Sequence, residues 1–449
     1  MLGTTRPQWG RAARRLNARD GVGAPPRRTG LAVAMAALLV LTGCSTWMPG
    51  ASDKEAINAG RTAVGATVKV VFINVDLQAV ADITGFQVAD AGNAQAQVQA
   101  LEDWVNANGG VGGKQLDAVY RRYDASLDSP AAEEALCKQV TQDDRAFAVV
   151  LDGQFQDNAR PCYAAAGTIM LDATLVASDS QQREELSPYL WSPTFPNYDD
   201  VMPALISSLA DNDFFAGRTK VGVVVADTPP NRRLVKKVAE PAFADLGIEP
   251  EIAWVDTTDQ GTLFQGNDAA AVTFRAAKID RVMFMGGARI GAIFTTVAAA
   301  QSFEAKYSIS SIDSPQFFVN NPDTIPPAAL SGMVGIGSIP SLDVADAQYP
   351  FPQGKAEKQC MRIYADADIE FTSREAARVA LPYCDAARMF KLAADGADGD
   401  LTAESWAQAA VGLGDSYVSS GAFSGGYRVM RFDEACGCLK YVGPVREFG

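Results

Sequence analysis

The sequence predicts an α/β protein built as two doubly wound parallel-sheet lobes. Three observations carry this. Short, nearly continuous apolar runs alternate with amphipathic stretches of helical period, the pattern of parallel strands covered on both faces. The alternation starts twice, with leading strands at 68–75 and 220–226, about 150 residues apart. The chain has 449 residues, 48 % of them apolar, which is more than one compact core usually holds.

The elements follow in order. The run VKVVFINV at 68–75 suits a buried parallel strand. The next helix places Val98, Leu101 and Val105 on one face and stops at Asn108-Gly109-Gly110, a C-cap signal. A strand is expected at 116–123. A helix at 131–140 has Ser129-Pro130 at its start and Glu133 and Glu134 in its first turn. Strands at 146–151 and 168–171 flank a short helix at 158–166. The second lobe opens with KVGVVVA at 220–226. A helix follows at 231–246, which Pro241 should kink. The alternation continues through a strand at 252–255, a helix end at 274–278 and a strand at 281–285. Region 350–412 reads as mostly helical. Its best helix, 374–394, carries Ala377, Leu381, Cys384 and Ala387 at helical spacing, with Pro382 as an interruption. Segments 427–432 and 439–442 read as a closing hairpin.

The amino terminus reads as an address rather than a fold element. Seven arginines and one acid, Asp20, precede eleven apolar residues at 31–41, and the run closes on Leu41-Thr42-Gly43-Cys44. Eleven residues are too few to span a bilayer, which takes about 20. The tetrad resembles the lipobox of bacterial lipoproteins. That resemblance implies removal of residues 1–43, lipidation of Cys44 and a membrane anchor made of lipid. Arg27-Arg28 leaves twin-arginine export open beside the general secretory route. Residues 44–65, rich in Ser, Thr, Gly and Ala, read as a flexible tether.

Charge and cysteine usage narrow the function. The chain carries a net −14, about −20 once the +6 of residues 1–43 is gone. Such a surface excludes nucleic acid, whose phosphates need a basic footprint. Beyond Cys44, six cysteines remain: Cys137, Cys162, Cys360, Cys384, Cys436 and Cys438. An even number in an exported chain suggests disulfides. Fifteen pairings are possible, and nearest-neighbour pairing is one of them. A metal site competes only weakly, with no histidine anywhere and no CxxC pair.

The absence of histidine also removes Ser-His-Asp and Cys-His catalysis in their usual form. No GxGxxG, GxxxxGK[ST] or GxSxG occurs, and Gly286-Gly287-Ala288-Arg289-Ile290-Gly291 lacks dinucleotide spacing. A paired-carboxylate enzyme is the remaining catalytic alternative, but no spacing singles out a pair. The expectation is a non-enzyme without a cofactor.

The stretch Asn106-Ala107-Asn108-Gly109-Gly110-Val111-Gly112-Gly113-Lys114, followed by a strand ending Tyr123-Asp124, resembles the signature of type I periplasmic binding proteins. Within that family it is most similar to the branched-chain amino-acid receptors of ABC transporters. Segments 146–153, 217–226 and 280–287 and the run Tyr383-Cys384-Asp385-Ala386 agree in order, so the resemblance covers roughly 66–449. It implies two lobes joined by a three-crossover hinge, with 66–194 and 341–424 in lobe 1, and 195–340 and 425–449 in lobe 2. It also implies a ligand between the lobes, a permease as partner and a monomeric receptor. Ligands of open parallel sheets bind beyond the carboxyl ends of strands, here loops 74–78, 152–155, 172–174, 286–289 and 320–321.

The resemblance also places the ligand contacts, and several positions depart from it. The Ser/Thr loop that holds an α-carboxylate is replaced by Gly153-Gln154-Phe155-Gln156, without a hydroxyl. Asp172-Ala173-Thr174 partly keeps the Ala-x-Thr segment. Asn320-Asn321 stands where an acid takes the α-amino group, and Ala288-Arg289 where an aromatic lies. Gln154, Phe155, Ala173, Thr174, Arg289, Asn320 and Asn321 are therefore the candidate ligand residues. Arg289 suits a carboxylate, although an Arg at a helix start is as often simply solvated. Phe155 and Trp191 suit stacking, with core packing as the competing role of Trp191. The expected function is a lipid-anchored extracytoplasmic receptor for a small polar molecule (amino acid, amide or organic acid-like) that serves a permease. The eroded clamp weighs against a standard branched-chain amino acid. A ligand-sensing or envelope-assembly lipoprotein on the same fold is the alternative.

Overall fold

A computed structural model describes residues 61–449, apart from 79, 80, 82–84 and 424. The signal-like segment, Cys44 and most of the expected tether lie outside the described residues. The end of that tether is bound to the fold instead. Ala63 N–H donates to Leu401 O at 2.9 Å, and Arg61 Nε and Nη2 donate to Ala166 O and Thr141 O. The folded body thus begins by residue 61. Composition hid this because the anchor is one long side chain and one backbone N–H, both reaching carbonyls far along the chain.

Two sheets organise the chain. The first contains β1 (Thr67–Asp76), β2 (Gln115–Asp124), β3 (Ala148–Asp152), β4 (Ile169–Ala173) and β5 (Leu190–Trp191), in the order β2-β1-β3-β4-β5, all parallel. β1 and β2 pair over ten residues, from Thr67 opposite Gln115 to Asp76 opposite Asp124. β3 and β4 are buried along their whole length, which explains their unbroken apolar runs. The second sheet contains β6 (Lys220–Ala226), β7 (Glu249–Val255), β8 (Arg281–Met285), β9 (Lys306–Ser310), β10 (Val334–Gly337), β11 (Gly426–Asp433) and β12 (Cys438–Glu447). Its order is β12-β11-β10-β9-β8-β6-β7. It is parallel except for the β11–β12 hairpin at one edge.

The chain passes between the sheets three times: after β5, after β10 and before β11. Between the last two passages, helices Lys355–Ala365, Ala380–Asp395 and Ala403–Leu413 return to pack in the core of the first sheet. Asp385 fastens two passages together. It accepts hydrogen bonds from Thr194 Oγ1 at 3.0 Å and from Ser420 N–H at 2.7 Å, beside its ion pair with Arg388. Asp385 is wholly buried, so each of these bonds replaces water it has lost.

Local chemistry explains the element ends. Helix Ala94–Ala107 is capped by the Asn93 side chain, which accepts from Ala96 N–H, and buries Val98, Leu101 and Val105. Asn106 then fixes the following turn through both of its amide atoms, bonded to the backbone of Leu116. Gly110 has φ +74°, and a Cβ there would sit 1.9 Å from Lys114 O, so only glycine fits.

One proline reading needs correction, and a second gains a local cause. Pro382 does not interrupt a helix. The helix begins at Ala380, and Pro382 sits in its first turn, where a missing N–H costs nothing. Pro241 stands just past a break in helical register. A π-turn at Val235–Ala239 absorbs its clash between helices Pro229–Leu234 and Glu240–Asp245.

Three disulfides form, between Cys137 and Cys162, Cys360 and Cys384, and Cys436 and Cys438. The first two join adjacent helices in the core of the first lobe, and the third closes the β11–β12 turn. No described helix is long and apolar enough to cross a membrane.

Candidate ligand cleft

The carboxyl ends of strands from both sheets converge on one cleft. The first sheet supplies the residues after β1, β3 and β4. The second supplies those after β6, β7, β8 and β9. The cleft has two compartments that share the wall residues Leu77, Val88, Gly153, Leu175 and Ser314.

The inner compartment, about 430 Å³, abuts the passages between the sheets at Thr194, Phe195, Ile339 and Gly421. Its wall is polar. Asp76 and Arg122 pair with each other there. Asp152, at the end of β3, is 9 % exposed, and Arg378 stands on the same wall. Burial pushes the Asp152 carboxyl up to about 8, with Arg378 opposing the shift. Burial likewise lowers Arg378, with Asp152, Glu375 and Asp90 opposing.

The outer compartment, about 220 Å³, is largely apolar, with Phe86, Phe155, Leu263, Phe264, Ile293 and Phe317 on its wall. Gln154, 2 % exposed, stands among them with both Oε1 and Nε2 buried and without a hydrogen bond. Asn231 adds an unbonded Oδ1. A buried amide left unpaired costs about 1–3 kcal/mol, so a wall like this is destabilising unless something fills it.

Arg289 bridges the two lobes. It follows β8 of the second sheet and pairs with Asp128, beyond β2 of the first, at 3.1 Å. Its Nη2 donates to Phe155 O and Thr257 O, and the guanidinium lies 4.3 Å from the Phe155 ring centre. Gln156 Nε2 repeats the bridge, donating to Asp128 Oδ2 and Thr257 O, while Tyr123 OH donates to Asp128 Oδ1. Burial lowers Arg289, and Asp128 opposes it. At Gly287, φ is +98° and a Cβ would lie 2.4 Å from Leu175 O, so glycine permits the closest approach of the two lobes at this point.

The seven candidates therefore separate. Gln154, Phe155 and Arg289 line the outer compartment, and Ala173 lines the inner one. Thr174 lies instead beside the buried Arg160–Asp172 pair, where its Oγ1 accepts from Arg160 Nη2 at 3.2 Å. Asn320 and Asn321 lie on neither wall. Asn320 Nδ2 donates to Glu375 Oε1 at 2.7 Å, and Asn321 exchanges two hydrogen bonds with the Gln87 backbone. They fasten the second lobe to segments of the first. Trp191 packs against Trp406 and donates to Pro188 O, a core role. Asp152 and Arg378 were not singled out from sequence. Asp152 ends an apolar strand within a loop already expected at the cleft, whereas Arg378 gave no signal.

No protein-family model matches the chain, and no curated protein is similar to it in sequence. Solved structures are similar in shape. The branched-chain amino-acid substrate-binding protein LivJ of Streptococcus pneumoniae, in complex with isoleucine, aligns over 84 % of this chain and 100 % of its own at 17 % identity and TM-score 0.54. A solute-binding protein of Rhodopseudomonas palustris with 3,4-dihydroxybenzoic acid aligns over 86 % and 98 %, at 15 % identity and TM-score 0.55. A fatty acid substrate-binding protein of Thermomonospora curvata aligns over 86 % and 94 %, at 19 % identity and TM-score 0.57. Together with the paired parallel sheets and their three connections, these likenesses establish that the chain has the fold of the type I periplasmic binding proteins of ABC transporters.

Proposed function

We propose that this chain is an extracytoplasmic solute receptor that takes a small molecule between its lobes and delivers it to an ABC transporter permease. The observation that carries this is the cleft wall. Gln154 and Arg378 hold buried polar atoms without partners among the described residues, on the two compartments where strand ends converge. Such groups are satisfied by a ligand, and a ligand that touches both lobes favours their approach by its differential contacts. No covalent step is required of any residue. Cleavage after residue 43 and lipidation of Cys44 would hold the receptor at the outer face of the membrane.

The test is a thermal-shift screen of the mature chain against amino acids, amides, organic acids and sugars. Saturating ligand at 100 times Kd adds about 2.7 kcal/mol of stability. A flat response across all classes would overturn the receptor reading. Loss of membrane association in Cys44→Ser tests the anchor separately.

A further inference from the structure

The two compartments differ in chemistry and adjoin along shared walls. In the inner one, two groups of opposite formal charge stand unpaired. The Asp152 carboxyl makes no hydrogen bond or ion pair with any described residue, and neither does the Arg378 guanidinium, whose Nη1 is fully buried. The other charges near them are already engaged. Asp76 pairs with Arg122, Asp90 accepts from Gly92 N–H at 2.9 Å, and Glu375 accepts from Asn320. Tyr364 and Tyr383 also face Asp152. In the outer compartment Arg289, the one cation on the wall among the described residues, is taken by Asp128. Charge belongs at the inner end and apolar surface at the outer end.

We propose that the cleft is built for an amphiphilic carboxylate: a carboxylate head held by Arg378 and Asp152, and an alkyl or aryl-alkyl body in the outer compartment. This rests on the solute-receptor reading and names its ligand class. The direction of the hydrogen bonds selects the head. Arg378 offers only donors. Asp152, desolvated at the end of a buried strand, keeps its proton at neutral pH and offers an O–H. Two donors on one wall call for an acceptor with two oxygens, which a carboxylate supplies and an ammonium does not. An ammonium would also face the positive charge of Arg378. The body is set by Phe86, Phe264, Ile293 and Phe317, which present apolar surface. The unpaired Gln154 carboxamide, next to the shared Gly153, suits a hydroxyl or carbonyl on that body.

The experiment is calorimetric titration of the mature protein with straight-chain alkanoates of four to ten carbons, matched 2-amino acids and matched alkylamines, at pH 6.5 and pH 9. Alkanoates should bind, with affinity rising about fourfold per methylene until the outer compartment is full. Binding should weaken at pH 9, where Asp152 ionises against the head. Asp152→Asn should keep the binding and lose that pH dependence, since an amide is also a neutral donor. Arg378→Met should lose tenfold or more, with Arg378→Lys intermediate and melting curves confirming that each variant folds. Preference for amino acids or alkylamines, or loss of binding in Asp152→Asn, would mean that the inner groups hold a cation. That result overturns the inference and leaves the receptor reading standing. No methylene increment also overturns it. If no compound of any class binds here or in the wider screen, both readings fall.

Discussion

Replacing Arg289 by methionine tests whether the lobes are held together by protein groups as well as by ligand. The perturbation removes one cation and keeps most of the side-chain volume. Lost with it are the 3.1 Å ion pair to Asp128, two bonds to the Phe155 and Thr257 carbonyls, and the contact 4.3 Å over the Phe155 ring. The Asp128 side chain is 2 % exposed and would keep only Tyr123 OH and Gln156 as donors. Breaking a buried pair from one side costs about 3–5 kcal/mol. Opening the cleft would rehydrate Asp128, so the cost falls on the closed arrangement rather than on the fold of either lobe. A bias of about 3 kcal/mol is more than a hundredfold in population. Solution scattering should therefore show a larger radius of gyration for ligand-free Arg289→Met, and ligand affinity should fall by up to the same factor. The double variant Asp128→Asn with Arg289→Met should recover most of the loss, because no buried charge is then stranded. Scattering and affinity both unchanged in Arg289→Met would refute the bridge.

Three further outcomes follow from particular contacts. Gln154→Leu should stabilise the ligand-free protein by about 1–3 kcal/mol in chemical denaturation, since both amide atoms are buried and unbonded, while weakening ligand binding; a destabilised variant would show that the amide has a protein partner. Gly287→Ala places a Cβ 2.4 Å from Leu175 O, so the loops must separate by on the order of 1 Å to restore ordinary contact. Ligand affinity should drop while each core stays intact, and unchanged affinity would sink the idea. Asp313 is buried with Oδ1 unbonded, and burial pushes its carboxyl up to about 7. Because that lies above the unfolded value near 4, the folded state holds the proton between the two. Its contribution to stability is full below about pH 4 and is lost as pH rises through about 7. Urea midpoints should be higher at pH 5 than at pH 8, and Asp313→Asn should flatten that difference. Retention of the full slope would exclude Asp313 and point to the other carboxyls that burial raises, Asp343, Glu133, Asp152, Asp385, Asp200 and Glu102.

What the sequence made legible tracks the range of the forces involved. β1, β3, β4 and β6 were readable because both of their faces are buried, so nearly every residue must be apolar. β10, the four residues VGIG with two glycines, has no such signature. It exists because Gly335 lets β9 approach, where a Cβ would lie 1.6 Å from Ile309 O. Helix Tyr198–Asp211 escaped notice because Pro203 breaks the expected pattern, although Val201, Met202, Leu205 and Leu209 hold one buried face. The cleft followed the same rule. Its location at strand ends is a property of the fold and was predictable. Which polar groups stand unpaired there depends on long-range partners. Arg289 suited a ligand carboxylate until Asp128, 161 residues away, claimed it. Arg378 was silent because only the passages between the sheets bring it to the wall that Asp152 occupies. Residue type marked where charge could act; the partner across the cleft decides whether that charge is left for a ligand.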